Sequence, residues 1–218
     1  MSESIQRQRF LSTVPPGFIP SLLSAVIKAN KLVGQSCMAE YERTEAHDLL
    51  PDLRRAKVEG VLRNVAMEQG GKAAATSNNN GGAYHSEVRF GGAGGTVILT
   101  QSCVEDETKL PRPATFRKSL ARAVTVDPQL DLFDRKPAAP LPGQYVYAIF
   151  THGKPAGANG VPSFARIVFP DVRGRTIIDS VDLTVALHAA AMAKPVVVAE
   201  PTPKVGLKKK QRRDKDQA

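Results

Sequence analysis

Tyr84-His85-Ser86-Glu87-Val88-Arg89-Phe90 and Thr96-Val97-Ile98-Leu99-Thr100-Gln101-Ser102-Cys103, joined by Gly91-Gly92-Ala93-Gly94-Gly95, mark where the hydrophobic period of this chain changes. In the first run His85, Glu87 and Arg89 alternate with apolar positions such as Val88 and Phe90, the period-2 pattern of a half-buried strand. The second run is strongly β-branched, and the pair reads as an antiparallel hairpin. A glycine-rich loop can also cradle phosphate, but that chemistry needs a helix directly after the glycines, and here a strand follows.

Upstream the period is helical. Leu22, Leu23, Val26, Ile27 and Leu32 predict a first helix over Ile19 to Val33 that stops at Gly34. A second helical region runs from about Met38 to Met67 and restarts at Pro51, with Asp48 as a cap and Gly70-Gly71 as its end. Its expected inner stripe is Leu53, Val58, Val61, Leu62 and Val65, with Arg54, Arg55, Lys57, Glu59 and Arg63 outside. Basic outer residues on a helical pair raise a DNA-binding helix-turn-helix as an alternative, against which stands the absence of a short turn between the helices.

Downstream, Pro113 to Val124 reads as a short basic helix. Tyr145–Thr151, Phe164–Phe169 and Thr176–Val181 read as strands, the first two central, and Leu183 to Lys194 as a terminal helix. The expected organisation is a flexible arm (1–13), a helical part (14–71), a flexible polar loop (72–83) and a hairpin with a helix (84–126). A linker (127–143), a β-rich part (144–194) and a disordered basic tail (195–218) follow. This order implies the α+β class: N-terminal helices on one face of an antiparallel sheet of about five strands.

The chain has 218 residues, 42% hydrophobic and 23% charged, enough for a sizeable core, and a formal net charge of +9. Seven basic residues and one acid, Asp214, fall between Lys204 and Lys215. Lys208, Lys209, Lys210, Arg212 and Arg213 can neutralise several phosphates, giving sequence-blind affinity for nucleic acid, although such a run also serves as a solubilising terminus. Cys37 and Cys103, outside any CxxC or CxxH pair, disfavour a disulfide framework and a zinc ribbon. No apolar run approaches the ~18 residues needed to span a membrane, and Met1 to Arg9 lead into no signal core, so a cytoplasmic protein is expected.

Prolines on both sides isolate Gln129-Leu130-Asp131-Leu132-Phe133, between Asp127-Pro128 and the run Lys136 to Gly143. Fixed φ and missing N–H groups disfavour a regular element across the segment. Leu130, Leu132 and Phe133 would face water in a bare linker, at roughly 1.5–3 kcal/mol each relative to burial. They therefore call for a covering surface, either the protein's own core or a partner.

Letter for letter, these five residues resemble the consensus peptide by which bacterial replication and repair proteins dock on the β sliding clamp of DNA polymerase III. The resemblance covers this peptide alone. It implies that Gln129 sets the register through polar contacts, that Leu130 lies along an apolar cleft, and that Leu132 and Phe133 are the anchors. Asp131 stands where the family uses a small polar or acidic residue. Clamp partners compete for one cleft, so the resemblance further implies a modulator or inhibitor of replication. It is similar in logic to the toxin of a toxin–antitoxin pair that stalls replication at the clamp, with an antitoxin or adaptor as a further partner.

Catalytic chemistry is sparsely represented. His85, Glu87 and Arg89, with His152 after a later strand, form the best constellation, for metal binding or proton sharing. Alternating His, Glu and Arg is equally what a solvated sheet face shows, and that is the expectation. Cys103 and His85 would make a nucleophile and base only if folded together. Walker, Rossmann and nucleophile-elbow motifs are absent from the sequence, and no cofactor is expected. A clamp-tethered enzyme acting on nucleic acid, with the His85 face as its site, and a DNA-binding regulator remain as alternatives.

Overall fold

The computed structural model describes residues 4–77, 84–92, 95–124, 145–155 and 159–193. The class is α+β. Three helices, α1 (Ile5–Thr13), α2 (Phe18–Glu40) and α3 (Arg43–Glu68), precede strands β1 (Lys72–Ser77), β2 (Tyr84–Gly92) and β3 (Gly95–Cys103). Then follow α4 (Thr115–Ala123), β4 (Tyr145–His152), β5 (Ala165–Pro170), β6 (Ile177–Asp182) and α5 (Thr184–Met192).

The strands form one six-stranded sheet in chain order. Every pairing is antiparallel except β3 with β4, which run parallel from Thr96 opposite Tyr145 to Cys103 opposite His152. The expected sheet of about five antiparallel strands is thus a mixed sheet of six. The strand missed in the sequence is β1, Lys72–Ser77, which pairs with β2 from Lys72 opposite Arg89 to Ser77 opposite Tyr84. Its alanines carry little apolar signal, and the pairing comes from backbone groups that an edge position satisfies on one side. The polar loop expected over 72–83 is therefore wrong for 72–77, and residues 78–83 lie outside the described ones.

Alternation along the strands builds two cores. Val88, Phe90, Val97, Leu99, Val146, Ala148, Phe150, Ile167 and Phe169 face α1, α2, α3 and α5, where Phe18, Leu22, Val26, Val58, Leu62 and Leu187 meet them. Ile98, Tyr147, Ile149 and Val168 face the other way, onto Ala121 and Leu120 of α4. Helices therefore cover both faces, not one. The reason is the parallel pair: parallel strands need a crossover, and α4 lies in it.

α2 and α3 are long, joined through Tyr41 and Glu42. α2 passes through the expected stop at Gly34, where a Cβ would stand 3.4 Å from the Arg54 guanidinium, and continues to the buried Cys37, whose Sγ–H donates to the Ala46 carbonyl at 3.6 Å. α3 likewise passes through Pro51 without restarting, and ends at Gly70 with φ of 79°. Two residues expected on particular faces are reversed: Leu53 is 40% exposed, whereas Glu59 is buried. Helices of this length, packed on each other and on the sheet, do not form the small paired helices of a helix-turn-helix.

Over Ile5–Thr13 the expected flexible arm is instead helix α1, and residues 1–3 lie outside the described ones. Ser4 Oγ accepts from the Arg7 N–H at 3.2 Å as an N-cap, and the Ser4 N–H donates to Asp179 Oδ2 of β6 at 3.0 Å. Phe10 is fully buried, edge-on to Phe169 at 5.7 Å. Phe10→Ala should cost about 3–5 kcal/mol in denaturant unfolding. A loss under ~1 kcal/mol would restore the flexible arm.

Candidate functional site

At the carboxyl ends of the parallel pair the chain parts in two directions, since β3 leads into residues 104–114 and β4 into Gly153 and beyond. Val104 N–H still donates to the His152 carbonyl at 2.9 Å, after which the strands separate. The gap is a cleft of about 670 Å³, walled by α3, the 104–114 connection and the start of α4. Crevices beyond the carboxyl ends of parallel strands are recurrent ligand sites, and this volume suits a small molecule.

Its floor is a chain of buried polar side chains on the α3 side of the sheet. His152 Nδ1 faces the Gly153 carbonyl at 3.1 Å and Nε2 faces Gln101 Oε1 at 3.3 Å. Gln101 Nε2 donates to Glu59 Oε1 at 3.4 Å, which also accepts from Arg55 Nε at 3.3 Å. Ser86 Oγ donates to the Glu59 carbonyl at 3.1 Å and accepts from Arg63.

Both neighbours of the His152 ring are carbonyl oxygens, and a neutral imidazole carries one N–H, so it can donate to only one. Turning the Gln101 amide over would satisfy His152 Nε2 but set a carbonyl against the Glu59 carboxylate. The chain Glu59–Gln101–His152 closes fully only with one further proton. Burial opposes that proton on the ring: desolvation lowers the His152 pKa to about 4, against a smaller upward effect of the Gly153 carbonyl.

The opposite wall is built on α4. Phe116 stacks on His85 with ring centroids 3.6 Å apart and planes inclined by 13°, and the Arg117 guanidinium lies 4.9 Å from the Phe116 centroid. Arg117 donates to the Arg112 carbonyl at 2.9 Å and to Ser102 Oγ at 3.3 Å. Burial lowers the pKa of His85, an effect that Glu87 and Glu59 oppose. Exposed ion pairs of Lys154 with Glu105 at 2.9 Å and Lys109 with Asp106 at 3.3 Å line the mouth. Solvent screens such exposed pairs, so they contribute little to stability.

The expected solvated face of His85, Glu87 and Arg89 is therefore correct only in its alternation. His85 is buried beneath Phe116, Glu87 pairs with Arg89, and only Arg89 is exposed. His152 lines the same cleft as His85 but from the other face of the sheet, as does Cys103 by alternation, so neither partners His85 as the sequence reading required. Although Cys103 is exposed at its surface, partial desolvation of the thiol raises its pKa, an effect that Lys154 and Arg54 oppose, and this is the wrong direction for a nucleophile. Among the described residues no group of three or more His, Cys, Asp or Glu side chains converges as metal ligands. The peptide Gln129–Phe133 and the basic residues Lys208 to Arg213 lie outside the described residues.

Sequence reasoning missed Asn30, Glu59 and Gln101. Asn30 follows Leu23 and Val26 at helical spacing and Gln101 continues Val97 and Leu99, while Glu59, expected outside, shares a helical face with Leu62 and Ala66. Among the described residues no single helix is both long and apolar enough to cross a membrane; α1 and α2 combine the two properties only as a pair, across an 83° bend. The chain matches no protein-family model, and neither curated proteins nor solved structures show a significant match to it.

His152 generates a pH prediction. A ring whose folded pKa of about 4 lies below its unfolded ~6.5 contributes stability that is present above pH 6.5 and is lost as pH falls towards 4. Unfolding free energy should drop by about 2 kcal/mol between pH 7 and pH 5 from this residue. His152→Gln, measured by denaturant unfolding at both values, should flatten the slope by that amount. An unchanged slope would show that the ring does not titrate across this window.

Proposed function

We propose that this chain docks on the bacterial β sliding clamp through Gln129–Phe133 and thereby modulates or inhibits DNA replication. One observation carries the reading beyond the peptide's own letters. Val124, at the end of α4, and Tyr145, at the start of β4, pack against the same small cluster of Ile98, Tyr147 and Ile149. The 20 residues 125–144, which lie outside the described ones, connect these two anchors. Connections longer than about 12–15 residues are commonly functional, and this one carries the clamp-like peptide in its sequence.

Docking by a short segment concentrates energy in a few anchors, here Leu132 and Phe133, with Gln129, Leu130 and Asp131 setting register. The cleft on the ring is shared by its partners, so occupancy competes with the polymerase. A replication inhibitor calls in turn for a controlling partner, an antitoxin or an adaptor. A clamp at work encircles duplex DNA, so the Lys208–Arg213 run would add a salt-sensitive contact with phosphates.

Replacing Leu132 and Phe133 together by Ala should weaken binding to purified clamp at least about a hundredfold, from ~2 kcal/mol or more per anchor. The melting temperature should stay unchanged, because a docking peptide contributes little to the core. Undiminished clamp binding sinks the proposal. A loss of several kcal/mol in stability would instead assign the two side chains to the protein's own core.

Removal of residues 204–218 should abolish sequence-independent duplex binding in a low-salt titration and flatten its salt dependence. Clamp affinity measured without DNA should not change. Sequence-dependent DNA binding that survives the truncation would favour a DNA-binding regulator.

A further inference from the structure

The geometry points to the cleft beyond β3 and β4 as a binding site for a nucleotide unit, a base edge joined to a phosphate. This inference is independent of clamp docking. Four buried side-chain polar atoms without a hydrogen-bond partner belong to three residues that line this cleft: Asn30 Nδ2 and Oδ1, Arg54 Nε and Arg117 Nε. Buried polar groups are ordinarily paired, so a concentration of unmet ones at a cavity marks where a ligand supplies the partners.

The chemistry of the unmet groups selects the ligand. Asn30 is 1% exposed, and its amide offers one donor and one acceptor side by side. The complement is an edge with an adjacent acceptor and donor, such as N7 and N6 of adenine, which asparagine side chains recognise in pairs. The guanidinium groups select an oxyanion. Arg54, Arg112 and Arg117 line the cleft, and none forms an ion pair with a carboxylate among the described residues. Of the acids that line the cleft, Glu59, Glu105 and Asp106 are already taken by Arg55, Lys154 and Lys109, and Asp52 is the one without an ion pair among the described residues. A planar guanidinium matches phosphate oxygens in a forked geometry, and a site with several of them favours phosphate over a neutral ligand. A volume of about 670 Å³ accommodates a mononucleotide.

Free nucleotide and a nucleotide of a nucleic-acid strand share this chemistry. Calorimetric titration of the full chain with adenosine 5′-monophosphate, adenosine, inorganic phosphate and a short deoxyadenosine oligonucleotide distinguishes them. The monophosphate should bind saturably, and at least about tenfold more tightly than either adenosine or phosphate. Tighter binding of the oligonucleotide than of the monophosphate assigns the unit to a strand, and weaker binding assigns it to a free nucleotide.

Arg54→Gln should weaken the monophosphate at least about tenfold with the melting temperature unchanged. Asn30→Leu should weaken it as much while leaving the melting temperature equal or higher, because an unmet buried amide is replaced by an apolar group of similar size. Absence of saturable monophosphate binding, or equal affinity for phosphate alone, overturns the inference. So does binding that both substitutions leave unchanged, which for the oligonucleotide would place it on the basic tail. A fall in stability of Asn30→Leu would show that the amide is satisfied within the fold and would remove it from the site.

Discussion

Parallel pairing of β3 with β4 is the constraint from which the arrangement of the molecule follows. Antiparallel neighbours can be joined by a tight turn, but parallel ones require the chain to travel back along the sheet. The crossover between them carries α4, so a second face is covered that an all-antiparallel meander could have left to water. The same pairing brings two carboxyl ends side by side, where the backbones diverge and leave the cleft. It also accounts for a connection in which a peptide with large apolar side chains can be carried without interrupting any strand.

Elements with strong apolar periodicity were legible in the sequence: the starts of α2 and of the late strands, the β2–β3 hairpin, α4 and the end of α3 at Gly70. What was illegible was held by interactions distant in sequence. β1 has alanines where a strand signal would need branched side chains, and exists because β2 offers it hydrogen bonds. α1 has a single buried residue, Phe10, while its other large apolar side chains, Ile5 and Leu11, are exposed. The parallel register is invisible to local patterning, since β4 has the same alternation whichever direction its neighbour runs.

Legibility of the cleft was poorer, for a physical reason. A site residue buried inside a fold occupies a core-facing position: Asn30 and Gln101 sit in apolar series, whereas the charge of Glu59 placed it with the outer residues of its helix. The polarity of Asn30 and Gln101 reads locally as a blemish in an apolar stripe. The histidines drew attention in the sequence because imidazole chemistry is conspicuous, yet His85 is packed against Phe116 and His152 is one end of a carboxylate–amide–imidazole chain. Polar groups at the end of the sheet trade stability for specificity, because each must find its partner in a place of low dielectric.

The tie between Ser4 and Asp179, reinforced by Phe10 on Phe169, has a consequence for the order of synthesis. At translation rates of about 5–20 residues per second, the first helix waits roughly 10–30 s before the strands that receive it have been made. Throughout that interval Phe10 lacks Phe169, although α2 and α3 already have each other and the early strands β1 to β3 to pack on. The first helix to be made is therefore among the last to complete its packing, which closes only when the last two strands leave the ribosome.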